Sequence, residues 1–242
     1  MDSIVLAGGF AKRMLPLTKN TPKQLLDVAG EPMLNHVLKS LEKISPERVI
    51  LSVNSFFSSH FKQFISDYQG PLNLQLFVES SKNEEEKLGA LGALNLLFSE
   101  LDIKGPVFIA GGDNLSDFDL TAMVSKSERT NRDVIGLYDV EDTNLAKLYG
   151  IAELNSDRIT AFVEKPSNPK STLAATAYWL LSKQGISNFF EYINSGGDRD
   201  ALGNFLAWNI NRNDVLSVSY RGTWYDIGDL ESYKEAQKWL SK

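Results

Sequence analysis

The sequence predicts an α/β fold: a Rossmann-like, mixed, mainly parallel central sheet with helices on both faces, joined to a smaller, more antiparallel lobe. Short β-branched apolar runs alternate with amphipathic segments through the first half, the pattern of a parallel sheet covered by helices. That rhythm stops near residue 133, after which strand-like runs follow one another without long helices between them. No Pro/Gly/Ser-rich linker, low-complexity tract or internal repeat separates the halves. One domain over residues 1–242, with lobes at 1–132 and 133–242, is therefore expected.

Taken in order, residues 3–7 read as a buried strand and 32–44 as a helix with Pro32 near its first turn. Residues 48–53 form a second strand and 57–68 a second helix, and 72–78, 88–101 and 107–110 repeat strand, helix, strand. In such a sheet the loops at the carboxyl ends of the strands form the ligand crevice. The second half reads as strands at 134–140, 150–154, 159–164 and 173–181, with a hairpin turn at Leu154-Asn155-Ser156-Asp157-Arg158. Helices at 186–194 and 201–210, a strand at 215–220, a short segment at 223–228 and a closing helix from Leu230 complete the chain.

Composition narrows the chemistry. A hydrophobic share of 43% in 242 residues supplies a core. The net charge of −6 argues against a nucleic-acid-binding face, which is usually basic. There is no cysteine, so disulfides, thiolate zinc sites and cysteine nucleophiles are excluded. The start MDSIVLAGG lacks the cationic end and long apolar core of a signal peptide, and the apolar-rich run at 88–98 is too short and interrupted to span a bilayer. A soluble, cytoplasmic protein without a membrane partner is the expectation. His36 and His60 are the only histidines and neither sits in a motif, so both read as structural. Chemistry must rest on Asp, Glu, Lys, Arg and a metal.

The run LAGGFAKRMLPLTKNTPK, residues 6–23, follows the first strand directly. Gly8 and Gly9 stand where backbone turns sharply or approaches something closely, and exposed N–H groups in such a turn make an anion nest. Lys12, Arg13, Lys19 and Lys23 add positive charge in an acidic chain, while Pro16 and Pro22 stiffen the loop. A solvated surface turn is the plainer alternative for the glycine pair alone. The pattern is neither a Walker A loop nor a GxGxxG fingerprint.

Further along, the strand in VFIAGGDNLSDFDL ends at Asp113, a hard oxygen ligand suited to Mg²⁺ with substrate phosphates. Asp117 and Asp119 read as turn or helix-cap residues. In TWYDIGDLESY, Asp229 reads as a helix cap, and Asp226 taken alone as a turn residue. FVEKP at 162–166 puts Glu164 and Lys165 at a strand end, where a surface ion pair is the bland reading. EEEKLGALGAL at 84–94 carries small residues that serve close helix packing equally well.

Together these runs resemble the sugar-1-phosphate nucleotidylyltransferases, in the family's order and from residue 4 to about 239. LAGG, the following Arg, PLT and PK match the family's N-terminal signature, and LLDVAGEPM continues it. The resemblance implies a nucleotide-diphospho-sugar transferase fold, residues 1–132 being a nucleotide-binding lobe and 133–242 a sugar-binding lobe with the C-terminal helix. It implies that Leu6, Ala7, Gly8 and Gly9 approach the nucleotide, and that Arg13 and Lys23 are the catalytic cations on its phosphates. Asp113 and Asp226 would be the metal ligands, Asp226 lying in the family's Trp-x-Asp-x-Gly motif. Leu88 and Gly89 would contact the nucleobase, and Gly150, Glu164 and Lys165 the sugar and its phosphate. The glutamate-led run before Leu88 is nearer to the mannose, heptose and muramate-type enzymes than to bacterial glucose thymidylyltransferases.

The implied reaction joins a nucleoside triphosphate and a sugar 1-phosphate, with Mg²⁺, to give a nucleotide-sugar and pyrophosphate. A sugar phosphate is largely ionised at neutral pH, its second pKa being about 6, so the shortage of histidine removes nothing the reaction needs. Two positions depart from the family pattern: Ala11 replaces a common glycine, implying a stiffer loop, and Thr176 replaces the glycine of Gly-x-Tyr, implying a narrower sugar pocket. A glycosyltransferase using Asp117-x-Asp119, and a non-catalytic nucleotide-sugar-binding regulatory subunit, are the alternatives. The chain stops before any β-helical repeat, so a stand-alone catalytic core is expected. Base, sugar and homo-oligomerisation stay open.

Overall fold

The computed structural model describes residues 1–241. The chain runs through β1 (Asp2–Leu6), single 3₁₀ turns at Lys12–Met14 and Lys23–Leu25, β2 (Asp27–Val28), β3 (Glu31–Pro32), α1 (Met33–Glu42), β4 (Val49–Asn54), α2 (Ser58–Asp67) and β5 (Leu74–Glu79). After a turn at Glu84–Glu86 come α3 (Ala90–Glu100), β6 (Val107–Gly111), β7 (Asn114–Ser116), α4 (Thr121–Thr130) and β8 (Val134–Asp139). Then follow α5 (Thr143–Ala146), β9 (Gly150–Asn155), β10 (Arg158–Glu164), β11 (Leu173–Leu181), α6 (Lys183–Asn194) and α7 (Leu202–Asn209). β12 (Leu216–Tyr220), β13 (Trp224–Asp226) and α8 (Leu230–Leu240) close the sequence. Each element read from the sequence is present within about two or three residues of its expected ends.

Two compact units result, one of residues 1–87, 110–119 and 222–242, the other of residues 88–109 and 120–221. In the first unit β1, β4 and β5 are parallel, with Ile4 opposite Ile50 and Leu51 opposite Leu76. Every residue of β4 is buried, as a strand covered on both faces must be, and four of its six residues are apolar. Helix α1 buries Leu34, Val37, Leu38 and Leu41, the i, i+3, i+4, i+7 stripe of an amphipathic helix. Asp229 caps α8 with a reciprocal capping box to Ser232, as the sequence reading expected. His36 bonds the Val28 carbonyl at 2.9 Å and His60 lies edge-on to Phe57, both structural contacts.

In the second unit β11 pairs antiparallel with β6, β8 and β9, β10 pairs antiparallel with β9 and β12, and β12 runs parallel to β8. The fold is a mixed α/β one, as predicted. An aromatic cluster of Phe98, Phe189, Phe205 and Tyr192 joins α3, α6 and α7, with ring centroids 5.1 Å apart for Phe98 and Phe189. Helix α4 was not legible in the sequence: TAMVSKSERT buries only Met123 and Ser127, too sparse a stripe to show periodicity.

Candidate functional site

The loop after β1 is pinned where it leaves the strand. Ala7 N–H donates to the Ser52 carbonyl at 2.8 Å, and Asn54 Nδ2 donates to the Gly8 carbonyl at 2.9 Å. A methyl group on Gly8 would lie 2.6 Å from Glu79 Oε1, so any side chain there would have to displace the Glu79 carboxylate. Glu79, at the end of β5, is buried and accepts a bond from Ser52 Oγ at 2.9 Å. Burial pushes its carboxyl up despite that bond. Sequence reasoning missed Glu79 because it closes an ordinary strand, and nothing local says that Gly8 comes to rest against it. Ala11 occupies the left-handed region at φ 48°, held by Thr18 Oγ1 donating to its carbonyl at 3.0 Å. Glycine adopts this conformation without strain, and here Ala11 takes it with a side chain attached.

Lys23 is buried, because the turn at Lys23–Leu25 directs it inward. Its ammonium donates to Asp113 Oδ2 at 2.6 Å and to the Ile227 carbonyl at 2.7 Å. Asp113 follows β6, and Asp226 is brought alongside by the antiparallel pairing of β7 with β13, which sets Asp226 opposite Asn114. Ile227 N–H donates to the Asp113 carbonyl at 3.0 Å, tying the two segments together. A methyl group on Gly228 would sit 2.9 Å from Arg13 Nη2, so Arg13 reaches the same place. The first unit thus gathers Arg13, Lys23, Asp113 and Asp226, which are far apart in sequence.

The two carboxylates differ. Burial works against the charge of Asp113, but the adjacent Lys23 ammonium outweighs it and holds this carboxyl below its usual value. Crowding by surrounding protein atoms, then the negative charge of Asp113, push Asp226 up to about 6, although its surface still meets solvent. Two oxygen-donor groups kept close against their mutual repulsion suit a hard divalent cation, which needs one or two carboxylates alongside phosphate oxygens. Among the described residues no group of three or more His, Cys, Asp or Glu side chains is arranged to hold a metal. Asp117 accepts from Thr223 N–H at 2.9 Å, a bond that ties together the loops around these two residues.

The remaining candidates lie in the second unit. Glu164 pairs with Gly150 across β9 and β10. Methyl groups on Gly150 and Gly203 would come within 2.7 and 2.6 Å of Glu164 Oε2, so two glycines make room for this carboxylate. Lys165 has a left-handed backbone at φ 45°, its N–H bonded to the Tyr149 carbonyl at 3.0 Å. Such strain in a non-glycine residue persists only where its surroundings enforce it. Gly89 also has positive φ, 73°, and packs against the Arg199–Asp200 backbone. Thr176 is buried, and its hydroxyl donates to the Gly136 carbonyl at 2.9 Å, so it is anchored within the sheet.

The family model for nucleotidyl transferases matches residues 2–242. The mannose-1-phosphate guanylyltransferase 1 of Arabidopsis thaliana is 30% identical over 239 residues, covering 96% of the chain and 63% of that protein. The UTP–glucose-1-phosphate uridylyltransferase of Haloferax volcanii is 26% identical over 184 residues, 75% of the chain and 72% of that protein. A solved UDP-glucose pyrophosphorylase with bound UDP-glucose superposes with a TM-score of 0.83 at 19% identity, covering 99% of this chain and 97% of that one, a likeness of fold. The chain spans 61–63% of the length of several curated relatives that it matches. Among the described residues no helix is long and apolar enough to cross a membrane.

Proposed function

Because the chain belongs to the nucleotidyl transferase family, we propose that it is a sugar-1-phosphate nucleotidylyltransferase, transferring a nucleotidyl group from a nucleoside triphosphate to a sugar 1-phosphate. The observation that carries this reading is the Lys23 ammonium 2.6 Å from Asp113 beside Asp226, at the carboxyl ends of β1 and β6. The sugar phosphate oxygen attacks the α-phosphorus, the bond from that phosphorus to the bridging oxygen breaks, and pyrophosphate leaves with the electron pair. No proton need be removed from the nucleophile, so the reaction is one of positioning and charge neutralisation.

Asp113 and Asp226 are the groups to hold a divalent cation, Mg²⁺ in this reading, and bound there it would neutralise phosphate charge. Lys23 stabilises the transferring phosphoryl group and Arg13 the phosphates that become pyrophosphate. The backbone at Leu6, Ala7, Gly8 and Gly9 approaches the nucleotide, and Leu88 and Gly89 take the base. Glu164 orients the sugar hydroxyls beside Gly150, and Lys165 pairs with the sugar phosphate. A cytoplasmic setting belongs to the same reading.

Pyrophosphate release across a panel of triphosphates and sugar 1-phosphates tests the reaction. Lys23→Ala should lower turnover on the preferred pair about 10²- to 10³-fold, as loss of one electrostatic donor does. A folded Lys23→Ala protein releasing pyrophosphate at the wild-type rate would overturn the assignment.

A further inference from the structure

Asn114 stands between the two carboxylates. Its Nδ2 donates to Asp113 Oδ1 at 3.1 Å and to Asp226 Oδ1 at 3.3 Å, and the residue is only 2% exposed. Its Oδ1 accepts from Trp224 Nε1 at 2.9 Å. An indole N–H can only donate and an ionised carboxylate can only accept. The amide therefore has one orientation that satisfies all three neighbours, oxygen toward Trp224 and NH₂ toward the acids. The β7–β13 register builds this arrangement, since it places Asp226 across from Asn114 and Trp224 across from Ser116.

Two carboxylates left to themselves move apart, and a cation binding them must first draw them together. We infer that Asn114, its amide locked by the Trp224 indole, is the positioning residue that holds Asp113 and Asp226 at a fixed spacing for a divalent cation. The inference rests on the reading that those two aspartates are the metal ligands. Groups that orient metal ligands without touching the metal commonly change affinity 10- to 100-fold when lost. Asn114 differs from Lys23 in kind, because it supplies directed donors to both acids and no charge.

The test uses the full chain and Mn²⁺ as the probe, with binding followed by water-proton relaxation. Wild type should bind Mn²⁺ and Asp226→Asn should lose that binding. Asn114→Leu, of similar volume but without donors, should weaken it about 10-fold. Trp224→Phe, which removes only the orienting N–H beside the amide, should weaken it roughly two- to fivefold, a smaller part of the same effect. The Mg²⁺ concentration giving half-maximal turnover should rise in the same proportions while KM for the sugar phosphate is unchanged, a split that general loosening would not produce. Wild-type Mn²⁺ affinity in folded Asn114→Leu overturns the inference, and if that variant does not fold, unchanged affinity in Trp224→Phe does so. Should Asp226→Asn bind Mn²⁺ as wild type does, the metal reading itself fails and takes the inference with it.

Discussion

A carboxyl whose pKa is raised by folding carries a cost that can be read from pH. Asp226 is pushed up to about 6 by crowding and by the charge of Asp113, whereas an unfolded aspartate ionises near 4. Below about pH 4 both states are protonated and the group contributes nothing. Between about 4 and 6 the unfolded chain releases a proton that the fold still binds, so stability falls as pH rises, and above about 6 the whole cost is present. Asp226→Asn should therefore raise the Tm of the metal-free protein by roughly 1–3 °C at pH 7.5, a small gain because solvent screens the site. The same variant should give no gain near pH 4 and should lose turnover. A pH-independent change in Tm would refute this account.

Elements are joined in the second unit by one buried acid. Asp133, at the start of β8, accepts from Ser182 N–H and Oγ at 2.8 and 2.7 Å, and from Asn209 and Asn213 at 2.9 and 3.1 Å. It so ties β8 to the N-terminus of α6, the end of α7 and the entry to β12, and burial pushes its carboxyl up. Asp133→Ala would strand several buried donors, each costing on the order of 1–3 kcal/mol. Thermal melts should show a Tm lower by about 5–12 °C, and a change under 1 °C would show that water replaces the carboxylate freely. Nothing in the sequence marked Asp133, because its four donors come from three other segments. The strands and helices themselves were legible wherever apolar residues kept a period, as in α1 and β4. They were illegible in α4 and β7, which owe their structure to neighbours rather than to their own pattern. Asp117 shows the same limit: nothing local to it points to Thr223, 106 positions away, whose N–H donates to it.

At the scale of the molecule, the acidic chain, with a net charge of −6, gathers Arg13 and Lys23 at one place in the first unit. A triphosphate with its cation bound there stabilises the native state in proportion to occupancy. At a ligand concentration about 100 times Kd the gain is about 2.7 kcal/mol, or roughly 5–10 °C in Tm for a chain of this size. Chelation of divalent cations should remove most of the shift. If no triphosphate in the panel moves the melt, the phosphate-binding reading falls.

The sequence by itself determined the class of the fold, and by resemblance it marked the loop at residues 6–23 and the short runs around Asp113, Asp226 and Glu164 as candidates. All of these are written in local periodicity and composition, or in short runs of specific residues. Tertiary structure alone decided that Lys23 meets Asp113, and that Asn114 bonds the carboxylate of Asp226, 112 positions distant. It also decided that Glu79 packs against Gly8, that Ala11 bears a left-handed turn and that Thr176 bonds the Gly136 carbonyl within the sheet. These depend on strand register and on which surfaces the hydrophobic core draws together, and a one-dimensional pattern does not encode distances between residues so far apart along the chain.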